Sequence, residues 1–216
     1  MSKRCYIAGA GEFDETKLPA EDDYIIAADG GYASLIAHNL QPDLIVGDFD
    51  SLPPDLTDVA LSHPNVIRCD SEKDDTDMML AVRQGLQRGF KTFVINGGLG
   101  GRLDQTLANM QILEYIANND ARGCLVGHDM FITVIKNTKV QFTPDTKRNS
   151  TVSIFCAGDS AEGVTLKGLK YPLTDATLTS DNPIGVSNET TGQSVSISVK
   201  NGTLIIIFYG GNPELC

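Results

Sequence analysis

Residues 92–118 have the sequence TFVINGGLGGRLDQTLANMQILEYIAN, in which an apolar run, a glycine-rich turn and a helical pattern follow one another. The short apolar run Thr92–Asn96 favours a buried strand. Gln105–Asn118 favours an amphipathic helix, because its apolar residues recur on one side: Leu107, Met110, Leu113, Ile116 and Ala117. A strand that leads through a turn into a helix is the repeating unit of α/β proteins.

The same alternation occupies the chain up to about residue 138. Further apolar runs predict buried strands at Arg4–Ala8, Tyr24–Ala28, Leu44–Val46 and Val66–Arg68. Helical patterns lie between them, at Gly31–Asn39 and Thr76–Gln87. We therefore predict an α/β domain at residues 1–138, with a mainly parallel sheet flanked by helices.

The pattern changes after Lys136, where helical periodicity ends. Short apolar runs between turn residues predict strands at Val152–Phe155, Val164–Leu166, Val195–Val199 and Leu204–Phe208. The last two runs favour a hairpin with Asn201-Gly202 at its tip. Residues 139–216 are therefore predicted to form a small all-β domain.

The composition restricts the class of partner. The net charge is −11 and the isoelectric point about 4.6, which argues against nucleic acid and anionic membranes as partners. An acidic protein that binds phosphate groups has to cancel charge locally, and a bound cation is the simplest means. Five scattered cysteines without a CxxC pair, and the lack of a long apolar run, favour free thiols in a cytoplasmic protein with no membrane span.

Two acidic turns follow the second and third predicted strands. The first is Asp29-Gly30-Gly31, and the second contains Asp48 and Asp50 on either side of Phe49. In open α/β sheets ligands bind beyond the carboxyl ends of the strands. Two carboxylates brought close together repel each other, and a hard cation such as Mg²⁺ removes that cost. The alternative is a pair of ordinary turns whose acidic side chains cap helices.

Two further polar loops precede predicted helices. Lys73-Asp74-Asp75-Thr76-Asp77 offers a lysine for phosphate, although acidic residues at a helix start are also ordinary caps. The Asn96–Gln105 loop has four glycines whose N–H groups can face an anion, followed by Arg102, whose guanidinium suits phosphate oxygens. A purely structural glycine turn is the alternative. Together, the four loops favour a site for a nucleotide polyphosphate with Mg²⁺.

These motifs resemble those of the thiamine pyrophosphokinases. The matching stretches are AADGG at 27–31, PDLIVGDFDS at 42–51, KDDTD at 73–77, GGRLDQTLAN at 100–109, GLKYPL at 168–173 and VSN at 186–188. The resemblance implies an α/β catalytic domain at 1–138 and a β-sandwich thiamine-binding domain at 139–216. It also implies a cytoplasmic enzyme that transfers the pyrophosphoryl group of ATP to the hydroxyl of thiamine, giving thiamine diphosphate and AMP.

The resemblance further implies roles for individual residues. The expected metal ligands, for Mg²⁺, are Asp48, Asp50 and Asp77. The residues expected to bind ATP are Asp29, Gly30, Lys73, Thr76 and Arg102. Asp77, Arg102 and Asp104 are expected to act in catalysis, with Asp104 orienting the substrate or helping to deprotonate its hydroxyl. Leu178, Ser187 and Asn188 are expected to bind thiamine, in an active site at the interface of a homodimer.

Two positions depart from the family pattern. Gln105 stands where the family commonly has histidine, and glutamine forms hydrogen bonds but does not titrate. Tyr171 stands where many relatives have tryptophan. Two other functions stay open on the motifs alone. One is a nucleotide-sugar transferase that uses Asp48 and Asp50, and the other is a nucleotide-binding module without catalysis.

Overall fold

The protein is described by a computed structural model that covers residues 3–50, 52–69, 75–144 and 150–210. The chain divides into two compact units. The first unit comprises Met1–Ile112, Asn119–Ala121 and Leu125–Gly127, and the second comprises Leu113–Asn118, Arg122–Cys124 and His128–Cys216. The predicted domain boundary between residues 138 and 139 stays a prediction.

The first unit is built on parallel strands. They are β1 (Cys5–Ala8), β2 (Tyr24–Ala28), β3 (Leu44–Gly47), β4 (Val66–Arg68) and β5 (Thr92–Asn96), and they pair in the order β4-β3-β2-β1-β5. The strands predicted for this region are confirmed. The parallel arrangement brings the carboxyl ends of consecutive strands to one edge of the sheet, where ligands bind in open α/β sheets.

The helices of this region are α1 (Gly31–Ala37), α2 (Pro54–Leu61), α3 (Asp77–Gln87) and α4 (Leu103–Asn118). The sequence patterns predict all of them except α2, which begins with a proline in its first turn and is largely exposed. The helix α4 and the next strand, β6 (Arg122–Gly127), contribute residues to both units. No helix in the described ranges is long and apolar enough to cross a membrane.

The core of the first unit consists of the central strands. Ile7 on β1, Ile26 on β2, Ile45 on β3 and Ile95 on β5 are all fully buried. Strands covered on both faces read as near-continuous apolar runs, which is the pattern of these segments. This rigid core fixes the positions of the loops that follow each strand.

The second unit is antiparallel. Its strands are β7 (Met130–Lys136), β8 (Lys139–Phe142), β9 (Thr151–Lys167), β10 (Leu173–Thr179), β11 (Asn188–Glu189), β12 (Val195–Ser198) and β13 (Asn201–Tyr209). One sheet holds β7, β13, β11 and the start of β9, and the other holds β8, β12, β10 and the end of β9. The predicted fold class, an α/β sheet followed by a β-rich part, is confirmed. Because the second unit pairs its strands antiparallel, the strand pairing of the chain as a whole is mixed and not purely parallel.

The predicted hairpin at Asn201-Gly202 is wrong. β12 pairs with β8 and β9, whereas β13 pairs with β7 and β9, so that β9 lies between the two strands. The cause is the length of β9, because its 17 residues form one strand where the sequence patterns predict two. Its start pairs with β13 and its end with β12, so the chain passes from one sheet to the other after Ser198.

Candidate active site

Three carboxylates meet at the edge of the first sheet. Asp29 follows β2, and Asp48 and Asp50 follow the neighbouring strand β3. One oxygen from each carboxylate lies within 4.8 Å of the others. The sequence predicts Asp48 and Asp50 as metal ligands but assigns Asp29 to the nucleotide. The pairing of Ala28 with Val46 puts Asp29 beside them, and no pattern within one strand reveals that pairing.

The backbone of both turns is shaped to bring these groups together. Asp29 and Phe49 have φ angles of 47° and 68°, in the left-handed region that non-glycine residues rarely adopt. Phe49 is buried and anchors its turn. A Cβ atom on Gly47 would lie 3.0 Å from the Cα atom of Asp29, so glycine leaves the space for this approach. Strained residues of this kind persist where the surrounding structure holds them, often at functional sites.

The Asp29 carboxylate is buried, and one of its oxygens has no hydrogen bond within the described part of the chain. Asp29 is only 9% exposed, and its Oδ1 atom is buried without a hydrogen bond to any residue that the structure describes. A buried carboxylate oxygen without a partner is costly, and a bound cation satisfies it. Gly30 occupies the N-cap position of α1, so Asp29 does not take the capping position. The three carboxylates therefore fit a hard divalent cation.

A cavity of about 530 Å³ lies beside this cluster, with every lining residue in the first unit. Its lining draws on five loops: Gly9, Ala10, Gly11, Ala28, Asp29, Asp48, Asp75, Thr76, Asp77, Met78, Gly97, Gly98, Leu99, Gly100, Gly101, Arg102, Gln105 and Asn109. All four predicted loops contribute to it. Gly30, Asp50 and Asp104 are not among the lining residues, and Lys73 lies outside the described residues.

The start of α3 forms one wall of this cavity. Thr76 is the N-cap, and its Oγ1 atom accepts a hydrogen bond of 3.1 Å from the N–H of Met79. Asp75 forms an ion pair with Arg83. Asp77 lines the cavity but does not belong to the group of three close carboxylates. Its role as a metal ligand stays a prediction.

Arg102 and Asp104 form an exposed ion pair at the start of α4. The two N–H···O contacts measure 3.1 and 2.5 Å. The hydrogen bond from Arg102 holds the pKa of Asp104 below its ordinary value and raises the pKa of Arg102. The lowered pKa makes Asp104 a weaker base, which suits orientation of a substrate better than proton abstraction.

The loop after β1 also lines the cavity, although it is not one of the four loops predicted from the sequence. The N–H of Gly11 donates to the carbonyl oxygen of Gly97, and that of Glu12 to the carbonyl oxygen of Leu99, at 2.7 and 2.8 Å. A Cβ atom on Gly11 would lie 2.5 Å from the carbonyl oxygen of Leu99. The sequence feature that indicates this loop is Gly9-Ala10-Gly11, directly after the first buried strand.

The residues predicted for thiamine lie in the second unit. Leu178 is buried and lines a small cavity of about 20 Å³. Ser187 is exposed with a φ angle of 56°, and its N–H donates to Ser153 Oγ at 3.0 Å. Asn188 is buried, and its amide bonds both the N–H and the carbonyl oxygen of Tyr171, at 3.0 and 2.7 Å. Of these three residues, Ser187 is thus the one that faces solvent. Asn188 instead fixes the backbone at Tyr171.

Fold and site together define an α/β protein with an acidic, glycine-lined cavity and a separate β unit. A family model described as "Thiamin pyrophosphokinase, catalytic domain" matches residues 16–125, and one described as "Thiamin pyrophosphokinase, vitamin B1 binding domain" matches residues 137–204. The chain belongs to the thiamin pyrophosphokinase family. The resemblance drawn from the motifs is confirmed.

Individual relatives agree with this family. The chain is 27% identical to the thiamine pyrophosphokinase of Bacillus subtilis over 195 residues, which are 90% of this chain and 91% of that protein. The crystal structure of thiamine pyrophosphokinase from Bacillus subtilis superimposes with a TM-score of 0.85 at 25% identity, covering 97% of this chain and all of that one. The thiamin pyrophosphokinase of Geobacillus thermodenitrificans gives a TM-score of 0.80 at 25% identity, over 99% of this chain and 100% of that one.

Proposed function

We propose that this chain is a thiamine pyrophosphokinase, which converts ATP and thiamine into thiamine diphosphate and AMP. The observation that carries this proposal is the cluster of Asp29, Asp48 and Asp50 beside a glycine-lined cavity, in a chain of this family. In the reaction, the hydroxyl oxygen of thiamine forms a bond to the β-phosphorus of ATP. The bond from that phosphorus to the oxygen bridging it to the α-phosphorus breaks, AMP leaves with the bridging oxygen, and the proton of the hydroxyl passes to solvent.

The cluster is the proposed site of Mg²⁺, held by Asp29, Asp48 and Asp50, with Asp77 on the cavity wall as a further ligand. When bound, the cation neutralises charge on the phosphate oxygens. The main chain keeps the two strand ends in register, because the backbone N–H of Asp29 donates to the carbonyl oxygen of Val46 at 2.8 Å.

The remaining lining residues are proposed to hold ATP. The glycines at 97, 98, 100 and 101 leave backbone N–H groups accessible to phosphate oxygens. The Arg102 guanidinium, which lines the cavity, binds the charge that moves during transfer, and Thr76 binds further phosphate oxygens. Lys73, which lies outside the described residues, is proposed from its motif alone to bind phosphate as well. Asp104 orients the substrate, and Gln105 contributes hydrogen bonds without a proton to exchange.

The second unit is proposed to bind thiamine through Leu178, Ser187 and Asn188. Thiamine is a cation, and the net charge of −10 on residues 1–138, from 11 basic and 21 acidic residues, favours its approach. We propose that the active site is completed across a homodimer, and that the enzyme works in the cytoplasm, where the described cysteines stay free thiols.

The test is AMP formation from ATP, with and without thiamine and Mg²⁺. We expect AMP only when both are present. Asp50→Ala removes one of the three clustered carboxylates and should lower kcat at least about a hundredfold, since electrostatic groups at phosphoryl-transfer sites contribute on that scale.

Asp58→Ala is the matched control, because Asp58 is exposed on α2 and outside the cluster. It should keep wild-type activity. AMP formation that ignores thiamine, or equal activity of the two variants, contradicts the proposal.

A further inference from the structure

A buried polar cluster is centred on Asn96, which directly precedes the first lining residue of the glycine-rich loop, Gly97. Asn96, at the end of β5, is fully buried, and Tyr6 on β1 is 1% exposed. The Nδ2 group of Asn96 donates to Tyr6 Oη at 2.8 Å and to the carbonyl oxygen of Asp14 at 2.9 Å. In return, the N–H of Asp14 donates to Asn96 Oδ1 at 2.9 Å. One side-chain amide therefore bonds both polar groups of the Asp14 backbone.

The cluster extends to the end of the same loop. The hydroxyl of Tyr6 donates to the carbonyl oxygen of Lys17 at 2.9 Å, and burial raises the pKa of Tyr6, so the hydroxyl keeps its proton. Asp14 closes a turn by accepting hydrogen bonds at Oδ1 from the N–H and the hydroxyl of Thr16, at 2.9 and 2.7 Å. Residues 9–17, here called the first loop, are thus fixed at their far end by Asn96 and Tyr6.

The near end of the first loop forms part of the cavity wall. The N–H of Gly9 donates to the carbonyl oxygen of Asn96 itself, at 2.7 Å, and Gly9, Ala10 and Gly11 line the cavity. Asn96 therefore holds the first loop at both ends, through its backbone carbonyl and through its side chain. Between these two points the first loop lies along the glycine-rich loop, because the N–H groups of Gly11 and Glu12 donate to the carbonyl oxygens of Gly97 and Leu99.

We propose that Asn96 is a positioning residue, whose side chain fixes the first loop as the wall against which ATP binds. This inference rests on the proposed function, because it takes ATP as the ligand of the cavity. The side chain acts through the loop, since Asn96 is not among the lining residues. Its loss should weaken ATP binding without changing the chemical step or the affinity for thiamine.

The test compares Asn96→Ala with Leu44→Ala on the full chain. Leu44 is buried at the amino end of β3, where it pairs with Ile26 of β2, so Leu44→Ala destabilises the first unit through its core and leaves the hydrogen bonds of Asn96 in place. For Asn96→Ala we expect KM and Kd for ATP to rise roughly tenfold, as two unsatisfied backbone groups free the loop. The kcat and the KM for thiamine should stay within about twofold, and amide hydrogen exchange should rise at Gly11, Glu12 and Asp14.

Two further variants keep the test decisive. Tyr6→Phe removes the bond to Lys17 and the acceptor for Asn96 Nδ2, but it leaves both bonds between Asn96 and Asp14. It should raise amide exchange near Lys17 with a smaller rise in the Kd for ATP. Should Asn96→Ala fail to fold, Asn96→Asp keeps the acceptor for Asp14 N–H, loses both donors and should shift the Kd for ATP in the same direction.

An unchanged Kd for ATP in the Asn96 variants, or an equal rise in Leu44→Ala, overturns the inference. If the wild type binds ATP but forms no AMP with thiamine, the proposed function fails, and the calorimetric Kd comparison still decides the role of Asn96. A wild type that does not bind ATP refutes both.

Discussion

At the scale of single residues, the site depends on how polar groups are paired. Two buried asparagines do the same task in different units: Asn96 bonds the backbone of Asp14, and Asn188 bonds the backbone of Tyr171. Buried backbone N–H and carbonyl groups require hydrogen-bond partners, which a neighbouring strand supplies in a sheet. In each of these irregular loops, a side-chain amide supplies them instead. Asp29 differs, because its Oδ1 atom is buried without a described partner and so suits a cation.

The Arg102–Asp104 pair allows a prediction at this scale. Arg102 lowers the pKa of Asp104, so Arg102→Gln should raise it toward the ordinary value of a carboxyl group. The carboxylate is present above its pKa, and the variant should therefore become protonated at a higher pH than the wild type. Carboxyl ¹³C chemical shifts, followed against pH, measure the change.

Arg122→Gln is the control for this titration. Arg122 is exposed at the start of β6 and is not a partner of Asp104. It should leave the pKa of Asp104 unchanged. An identical Asp104 titration in wild type and Arg102→Gln would show that the ion pair does not form in solution.

At the scale of elements, the site depends on the approach of the turns after β2 and β3. Gly47→Ala tests this approach. The new methyl group would lie 3.0 Å from the Asp29 Cα atom and 3.2 Å from its Cβ atom, so the two turns must move apart. We expect the affinity for Mn²⁺ or Mg²⁺ to fall about tenfold, because overpacking costs roughly 1–3 kcal/mol. Calorimetric titration with the metal alone measures it.

Gly123→Ala provides the comparison for that experiment. Its methyl group would meet the ends of the Ile116 and Leu113 side chains in the second unit, at 2.8 and 3.0 Å. It should lower stability without changing metal affinity. Equal metal affinities for the two variants would exclude the close approach of Gly47 to Asp29 as a requirement of the site.

The elements also show what the sequence predicts and what it does not. The strands and the glycine-rich loops are predictable, because buried parallel strands leave continuous apolar runs and glycines mark tight turns. The grouping of Asp29 with Asp48 depends on the pairing of β2 with β3, which is not a local pattern. The course of β9 between β12 and β13 is likewise not local, so the hairpin prediction failed.

At the scale of the whole molecule, the residues proposed to bind thiamine lie in the second unit, and the cavity proposed to bind ATP lies in the first. The carboxylate cluster lies in the first unit, and Ser187 lies in the second. The proposed homodimer would pair the first unit of one chain with the second unit of another. An isologous interface of this kind creates two equivalent sites.

Mixing two defective variants tests that arrangement. Asp50→Ala damages the first unit and Ser187→Ala the second, and each should have low activity alone at low thiamine concentration. In a mixed dimer, one site combines both defects, whereas the other combines the intact first unit of one chain with the intact second unit of its partner. Random exchange of equal amounts makes half of the dimers mixed, so activity should recover to about a quarter of the wild-type value. A mixture no more active than the average of its components would place the complete active site within a single chain.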